Sequence, residues 1–390
     1  MGPTGPRRID CSGSVRTASV TRVTTLDMNR VYDDVCPPIA SGLVFHYGAP
    51  ATAHALALGS PLRASLSFVM NDRSEVETGR DIVRQYTEYL MLAEGYGADG
   101  YALDLEDGEV KRDLMRLADA WLYELRGLKD FATPSDAPLS RAQLLLLVST
   151  IAGSWMENNA LYISCASTVD DRLSQWRAYG SCVMGFDASL ALEPILASAA
   201  SDSADASAVE PRPPFLTPPA GEPYLASDLV TSPSQEIRLI WRPVLYTDTD
   251  AVHAALARLA NAVSDVFAAA CRGEVKADDA LAWTLQWYIT TVGLIKDATF
   301  SEESEVRLVV AGAEERGALV HVRQGAYGLA PYIDVQPIST IADADLASPL
   351  LRSVSLGPGV TETDERVLKY LLRSKRIDVQ RIAAPAILDR

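Results

Sequence analysis

The stretch from Leu161 to Phe186, LYISCASTVDDRLSQWRAYGSCVMGF, most constrains what this chain can fold into. Its short apolar runs, Leu161–Cys165 and Cys182–Phe186, have the length and bounding turn residues of buried strands. Between them stands Gln175-Trp176-Arg177-x-Tyr179-Gly180, which places an amide, an indole, a guanidinium and a phenol in one compact connection. Two buried strands require a sheet, and a sheet requires further strands and a covering layer.

The rest of the chain supplies both. Leu43–Tyr47 and Leu62–Val69 read as early strands, with a helix over 51–58 stopped by Gly59 and Pro61. Helical periodicity covers residues 71–93, 110–128, 140–155, 250–270, 278–296 and 363–374. Later strands are expected over 238–246, 305–310, 320–322, 332–335, 353–356 and 377–381. Residues 1–37 mix Gly, Pro, Arg, Ser and Thr without a period and read as an N-terminal tail, ordered only near Val31-Tyr32. Residues 197–234 are rich in Ala, Ser, Asp and Pro and read as a low-complexity insert. The pattern predicts an α+β fold: one large mixed domain over 38–390, with a short-stranded antiparallel or mixed sheet and helical insertions.

The sequence has 390 residues, 48% of them hydrophobic, enough for a sizeable core. Its formal charge of −16 argues against non-specific nucleic-acid binding and against an anionic membrane surface. The five cysteines are widely spaced, without a Cys-x-x-Cys pair, so neither a metal site nor a disulfide framework is expected. With no signal-like apolar segment at the start, the expectation is a cytoplasmic protein. Gly95-x-Gly97-x-x-Gly100 follows a helical pattern rather than a strand, and reads as a turn rather than a dinucleotide loop.

Several residues are candidates for chemistry. If 303–310 is extended, Glu303, Glu305 and Arg307 share one face and Val306, Leu308 and Val310 the other. Two carboxylates beside a guanidinium make either a solvated row of ion pairs or a polar pocket with one carboxylate held ionised. His46, at a strand end before Tyr47, is either a hydrogen-bonded structural histidine or a ligand-facing base. Gln175, Arg177 and Tyr179 form either a packing unit around Trp176 or the wall of a pocket for a flat base and a phosphate.

Taken together, an ordered set of short motifs resembles the bacterial family called domain of unknown function 2971. The set comprises Phe45-His46-Tyr47, Asn71-Asp72-x-x-Glu75, Ile163-Ser164-Cys165-x-Ser167, Gln175-Trp176-Arg177-x-Tyr179-Gly180 and Gly185-Phe186. It continues with Lys296-Asp297, Phe300, Glu303-x-Glu305-x-Arg307-Leu308, Pro331-Tyr332 and Leu356-Gly357-Pro358. The order His46, Tyr179 and then Glu303 or Glu305 also resembles the ADP-ribosyltransferase superfamily. That resemblance implies NAD as the substrate, Glu305 and Glu303 as catalytic carboxylates, and His46, Tyr47, Gln175, Arg177, Tyr179 and Arg307 as cofactor-binding groups. It implies a transferase or glycohydrolase-like enzyme in stress or phage defence, with a protein or nucleic-acid acceptor unspecified. The alternative is a non-catalytic nucleotide or protein-partner sensor using the same pocket. A nuclease is disfavoured by the lack of a metal-carboxylate motif.

Overall fold

Helix α1 starts where Asp27 accepts a hydrogen bond from the backbone N–H of Arg30, and it spans Met28–Val35. Met28, Tyr32 and Val35 recur at helical spacing and are buried, so this part of the expected tail belongs to the core. The structure is a computed structural model that describes residues 27–69, 75–94, 140–171, 175–176, 180–196, 238–272, 274–314, 317–325, 328–338, 350–357, 360–373, 375 and 377–381. The expected insert, the 110–128 helix and the Gly95 turn lie outside the described residues, as do Arg177, Tyr179 and Asn71-Asp72.

The other helices are α2 (Pro50–Ala57), α3 (Glu75–Ala93), α4 (Arg141–Asn158), α5 (Asp250–Cys271), α6 (Ala277–Leu294) and α7 (Glu362–Arg373). α4 begins in a capping box, Ser140 and Gln143 satisfying each other's backbone N–H groups. Its run Leu144–Val148 is buried on every side, because α3, α5 and α6 pack around it. The early strands are β1 (Leu43–Gly48), β2 (Leu62–Leu66), β3 (Leu161–Ser167), β4 (Cys182–Asp187) and β5 (Leu192–Pro194). Then come β6 (Arg242–Pro243), β7 (Leu245–Tyr246), β8 (Ile295–Lys296), β9 (Glu305–Ala311), β10 (Val320–Gly325), β11 (Gly328–Pro337), β12 (Leu351–Leu356) and β13 (Asp378–Arg381). The strand expected over 238–246 is reduced to the two short pieces β6 and β7.

These strands form a mixed, mostly antiparallel sheet in the order β10-β11-β2-β3-β1-β4-β12-β13, with β9 on the remaining edge of β3 and β6 beyond it. β12 and β13 run parallel, and β7 and β8 pair separately, also parallel. Helices α1 and α3–α6 bury one face together with Leu161, Ile163 and Val309. The opposite face carries Tyr162, Met184, Phe186, Val306, Leu308 and Val310 and is covered in part by α2 and α7. β9 is therefore buried on both faces, as a strand between two cores must be.

One edge of β3 is shared. β2 pairs there with Tyr162 and Ile163, whereas β1 meets it only at Phe45↔Ser167. Between those pairings the two neighbours part, and among the described residues 164–166 have no registered partner on that edge. The fork determines where His46 goes.

Candidate active site

The charged groups expected on the late strand converge at its start. Asp297 caps the short turn of 3-10 helix Ala298–Glu303 by accepting from Thr299 N–H at 2.8 Å. Ser304, at φ 47°, turns the chain from that helix into β9. Glu303 thus belongs to the turn and not to the strand, so it does not share the strand face with Glu305 and Arg307 as a 303–310 extension would require, while the strand expected over 305–310 is β9. The turn still delivers its carboxylate to the same cation as Glu305. Lys296 Nζ donates to Glu303 Oε2 at 2.8 Å and to Glu305 Oε2 at 2.7 Å. The same ammonium lies 4.8 Å from the centre of the Phe300 ring.

Arg307 completes the arrangement. Its Nε donates to Glu305 Oε1 at 2.8 Å, its Nη2 to Oε2 at 3.3 Å, and its Nη1 to the Gly293 carbonyl at 2.8 Å. The backbone N–H of Glu305 donates to Tyr246 Oη at 2.9 Å. Burial by itself raises the Glu305 pKa. The charge and hydrogen bonds of Arg307, the charge of Lys296 and the Cys165 thiol more than offset it and lower the carboxyl to about 2. Lys296, Glu305 and Arg307 are buried, while the Glu303 side chain keeps 18% of its surface exposed. The face is therefore not a solvated row. It is an ion-pair network inside the protein, where each charge depends on its partners.

Register assigns the neighbours. Ser167 faces Glu305 across β3 and β9, and Phe45 faces Ser167 across β1 and β3, so these residues and Tyr47 belong to one face. Ser167 Oγ donates to the Glu303 carbonyl at 2.8 Å and accepts from Val169 N–H at 3.1 Å. The Val169 carbonyl in turn accepts from Tyr47 Oη at 2.9 Å. Tyr47 meets Trp176 edge-on, with ring centres 5.3 Å apart at 83°. Residues 167–169 thereby join the backbone of the turn bearing Glu303 to an aromatic pair, and Gln175, next to Trp176 in the chain, is buried.

Two glycines allow close approaches here, one against Trp176 and one against Gly48. A Cβ on Gly357 would come within 2.6 Å of the Trp176 indole. A Cβ on Gly180, whose φ is 140°, would come within 2.4 Å of the Gly48 carbonyl oxygen.

His46 belongs to the other face of β1. It faces Met184 in register and stacks on Phe186 at 6.3 Å. Its Nδ1 lies 2.8 Å from the Cys165 carbonyl in the fork. A carbonyl only accepts, so Nδ1 carries the hydrogen. Burial lowers the imidazole pKa and the bond to Cys165 opposes that shift, with Arg323 a smaller lowering influence. Cys165 thus contacts His46 through its carbonyl and Glu305 through its thiol.

Of the residues singled out from sequence, the structure brings together Glu303, Glu305 and Arg307, and links Tyr47, with Trp176 against it, to the Glu303 backbone through residues 167–169. It does not bring His46 to the carboxylates. Lys296 appeared in the sequence only within a motif, although a lysine closing the apolar run Val292-Gly293-Leu294-Ile295 is a signal of a buried partner. Arg242 and Tyr246 were missed. Arg242 pairs with Arg307 in register, donates to Asp33 at 2.6 Å and to the Cys36 carbonyl, and stacks over the Tyr32 ring.

Among the described residues, no group of three or more His, Cys, Asp or Glu could hold a metal ion, and no helix is long and apolar enough to cross a membrane. Comparison of the chain with family models, curated proteins and solved structures gives no match, so the reading of this site rests on its own geometry.

Proposed function

We propose that the chain is a member of the family-2971 type with an ADP-ribosyltransferase-like fold, and that it cleaves the nicotinamide–ribose bond of NAD. The observation that carries this reading is the junction at residues 167–169, which ties the backbone of the turn bearing Glu303 to the Tyr47 hydroxyl, on the sheet face that also carries Glu305. In the reaction the C–N bond breaks, and its electron pair stays on the nicotinamide ring nitrogen, which becomes neutral. The sugar carbon gains positive charge and is captured by water or an acceptor hydroxyl, which releases a proton. An ionised carboxylate stabilises that developing charge.

Glu303 is the better candidate for this role. It is the more exposed carboxylate and has Lys296 as its ion-pair partner, while both oxygens of Glu305 are engaged by cations. Glu305 and Arg307 then hold Lys296 and the turn in place. Arg177 for the pyrophosphate and Tyr179 for the nicotinamide complete the proposed site from the chain following Trp176. His46 is assigned to the fork rather than to the ribose.

The test is nicotinamide release from NAD, followed by chromatography, for wild type, Glu303→Gln, Arg177→Ala and Tyr179→Ala. Release that falls about 100-fold or more in Glu303→Gln, with NAD binding retained, is expected. Absence of both NAD binding and nicotinamide release in the wild type overturns the proposal. A second reading, binding without turnover, is favoured by the proximity of Lys296 to Glu303, which offsets part of its charge. It predicts NAD-dependent thermal stabilisation with no nicotinamide released.

A further inference from the structure

The turn that carries Glu303 is closed at its base. Lys296, which precedes it, pairs with Tyr246 where β7 and β8 run parallel. Glu305, which follows it, donates its backbone N–H to the Tyr246 hydroxyl at 2.9 Å. Both ends of the intervening segment are thus fastened to one residue. Thr247 adds two bonds beside it: its N–H donates to the Lys296 carbonyl at 2.9 Å, and its Oγ1 accepts from Ala298 N–H at 2.9 Å. From β3, Ser167 Oγ donates to the Glu303 carbonyl at 2.8 Å, and Thr168 N–H donates to the Ser304 carbonyl at 3.0 Å. These bonds hold the backbone under Glu303 and involve no charged side chain.

The carboxylate is held differently. A glutamate side chain has three rotatable bonds, and ordering it costs rotamer freedom that a contact must offset. Lys296 Nζ makes that contact, 2.8 Å from Glu303 Oε2. The ammonium is itself fixed, being buried 2.7 Å from Glu305 Oε2 and 4.8 Å from the centre of the Phe300 ring. Glu305 also has Arg307 on both of its oxygens, so its direction does not depend on Lys296 alone.

We propose that Lys296 is the positioning residue of this site: its ammonium aims the Glu303 carboxylate at the reacting sugar and serves turnover rather than NAD binding. The inference rests on the reading of Glu303 as the carboxylate that meets the developing charge. An ammonium so close also offsets part of that carboxylate's charge, and the two effects have opposite signs. Orientation makes Lys296 necessary for turnover, whereas charge offset makes its removal favourable. Misplacing a reacting group by about 1 Å can cost about 100-fold in rate, so orientation is expected to win.

The test compares wild type, Lys296→Met, Glu303→Gln and the double variant in NAD turnover, each at a temperature where it is folded. Lys296→Met is expected to lower kcat about 10- to 100-fold, with NAD affinity by calorimetry within about twofold of wild type. The double variant is expected to fall no further than Glu303→Gln, because Lys296 acts through that carboxylate. An unchanged or raised kcat in Lys296→Met, a loss confined to NAD affinity, or losses that multiply in the double variant overturns the proposal. A crystal structure of Lys296→Met without NAD is expected to show the Glu303 carboxylate out of its wild-type place, and an unmoved carboxylate overturns the proposal. This arm keeps the two readings apart. A wild type that releases no nicotinamide removes the NAD assignment, and the crystal structure then decides alone whether Lys296 places Glu303. Should Lys296→Met fail to fold, Lys296→Gln takes its place in every arm.

Discussion

Lys296 Nζ and Glu305 Oε2 lie 2.7 Å apart, with side chains 6% and 7% exposed. Neither charge could be buried alone, because removing an ion from water costs several kcal/mol that only a close partner and good hydrogen bonds offset. Glu305 has two such partners, Lys296 and Arg307, whereas Lys296 divides its charge between Glu305 and Glu303. Removing the hub should therefore be worse than removing a spoke. Glu305→Gln takes a carboxylate from buried Arg307 and leaves Lys296 with Glu303 alone, and is expected to destabilise by about 3–5 kcal/mol. Lys296→Met leaves Arg307 on Glu305 and lets Glu303 turn toward solvent, so a smaller loss is expected. Urea unfolding at pH 7 checks the order; equal losses, or a stable Glu305→Gln, would contradict the hub arrangement.

The same network should set the acid limit of the fold. The folded carboxyl of Glu305 lies at about 2, below the ordinary value of 4.5. A depressed carboxyl contributes stability that is complete above the unfolded value and is lost as pH falls toward the folded one. The contribution is on the order of 3 kcal/mol, and the loss is expected between about pH 4.5 and pH 2. Stability measured by denaturant titration should fall less steeply over this window in Glu305→Gln than in wild type. Parallel curves would assign the acid sensitivity to other carboxylates.

His46 should act in a different window. Its folded pKa is lowered, chiefly by burial, so the unfolded chain takes up a proton first as the medium is acidified. Stability present above the unfolded value, near 6.5, is then lost as pH falls from there toward the folded value. His46→Asn keeps an N–H donor for the Cys165 carbonyl and lacks the titration, so its stability curve should be flatter just below pH 6.5. His46→Ala leaves that carbonyl without its side-chain donor and should lose about 1–3 kcal/mol at pH 7. If Asn and Ala are equally destabilising, the bond in the fork is not what holds the two strands apart.

Local pattern made much of this legible. The period-2 alternation of Glu305-Val306-Arg307-Leu308 separated the two faces of β9, and the apolar runs at 161–165 and 182–186 located β3 and β4. The order of strand-like and helical segments identified the class as α+β. The contacts that decide the site are long-range and left little local trace. Nothing near residue 165 in the chain says that β9 lies beside β3, or that β1 touches β3 at one pair only. His46 and Glu305 therefore looked like members of one pocket, although the strand between them puts them on opposite faces. Glu303 leaves the strand face because a left-handed Ser304 breaks the extension one residue before Glu305, which is in register with Ser167. Serine is not a residue that announces such a conformation. Cys165 reads as a small hydrophobe, and only the fold reveals its contacts with both His46 and Glu305.

Gly180 and Gly357 give the last prediction: Gly357 tests the packing of Trp176 and Gly180 the close approach of its chain to Gly48, and neither touches a charged group. At Gly180 a side chain would meet the Gly48 carbonyl, and φ of 140° is itself unfavourable for any residue with a Cβ. Gly180→Ala should then cost about 1–3 kcal/mol for the conformation alone, with the clash in addition. At Gly357 the obstructing atoms belong to the indole ring, so Gly357→Ala must displace Trp176 from its place against Tyr47. If Trp176 only packs, both variants lose stability and nothing else. If it walls a ligand site, Gly357→Ala loses NAD affinity by more than its drop in stability explains, at a temperature where the variant remains folded. Calorimetric NAD titration beside thermal melting separates the two, and unchanged affinity in a folded Gly357→Ala would remove the indole from the proposed site.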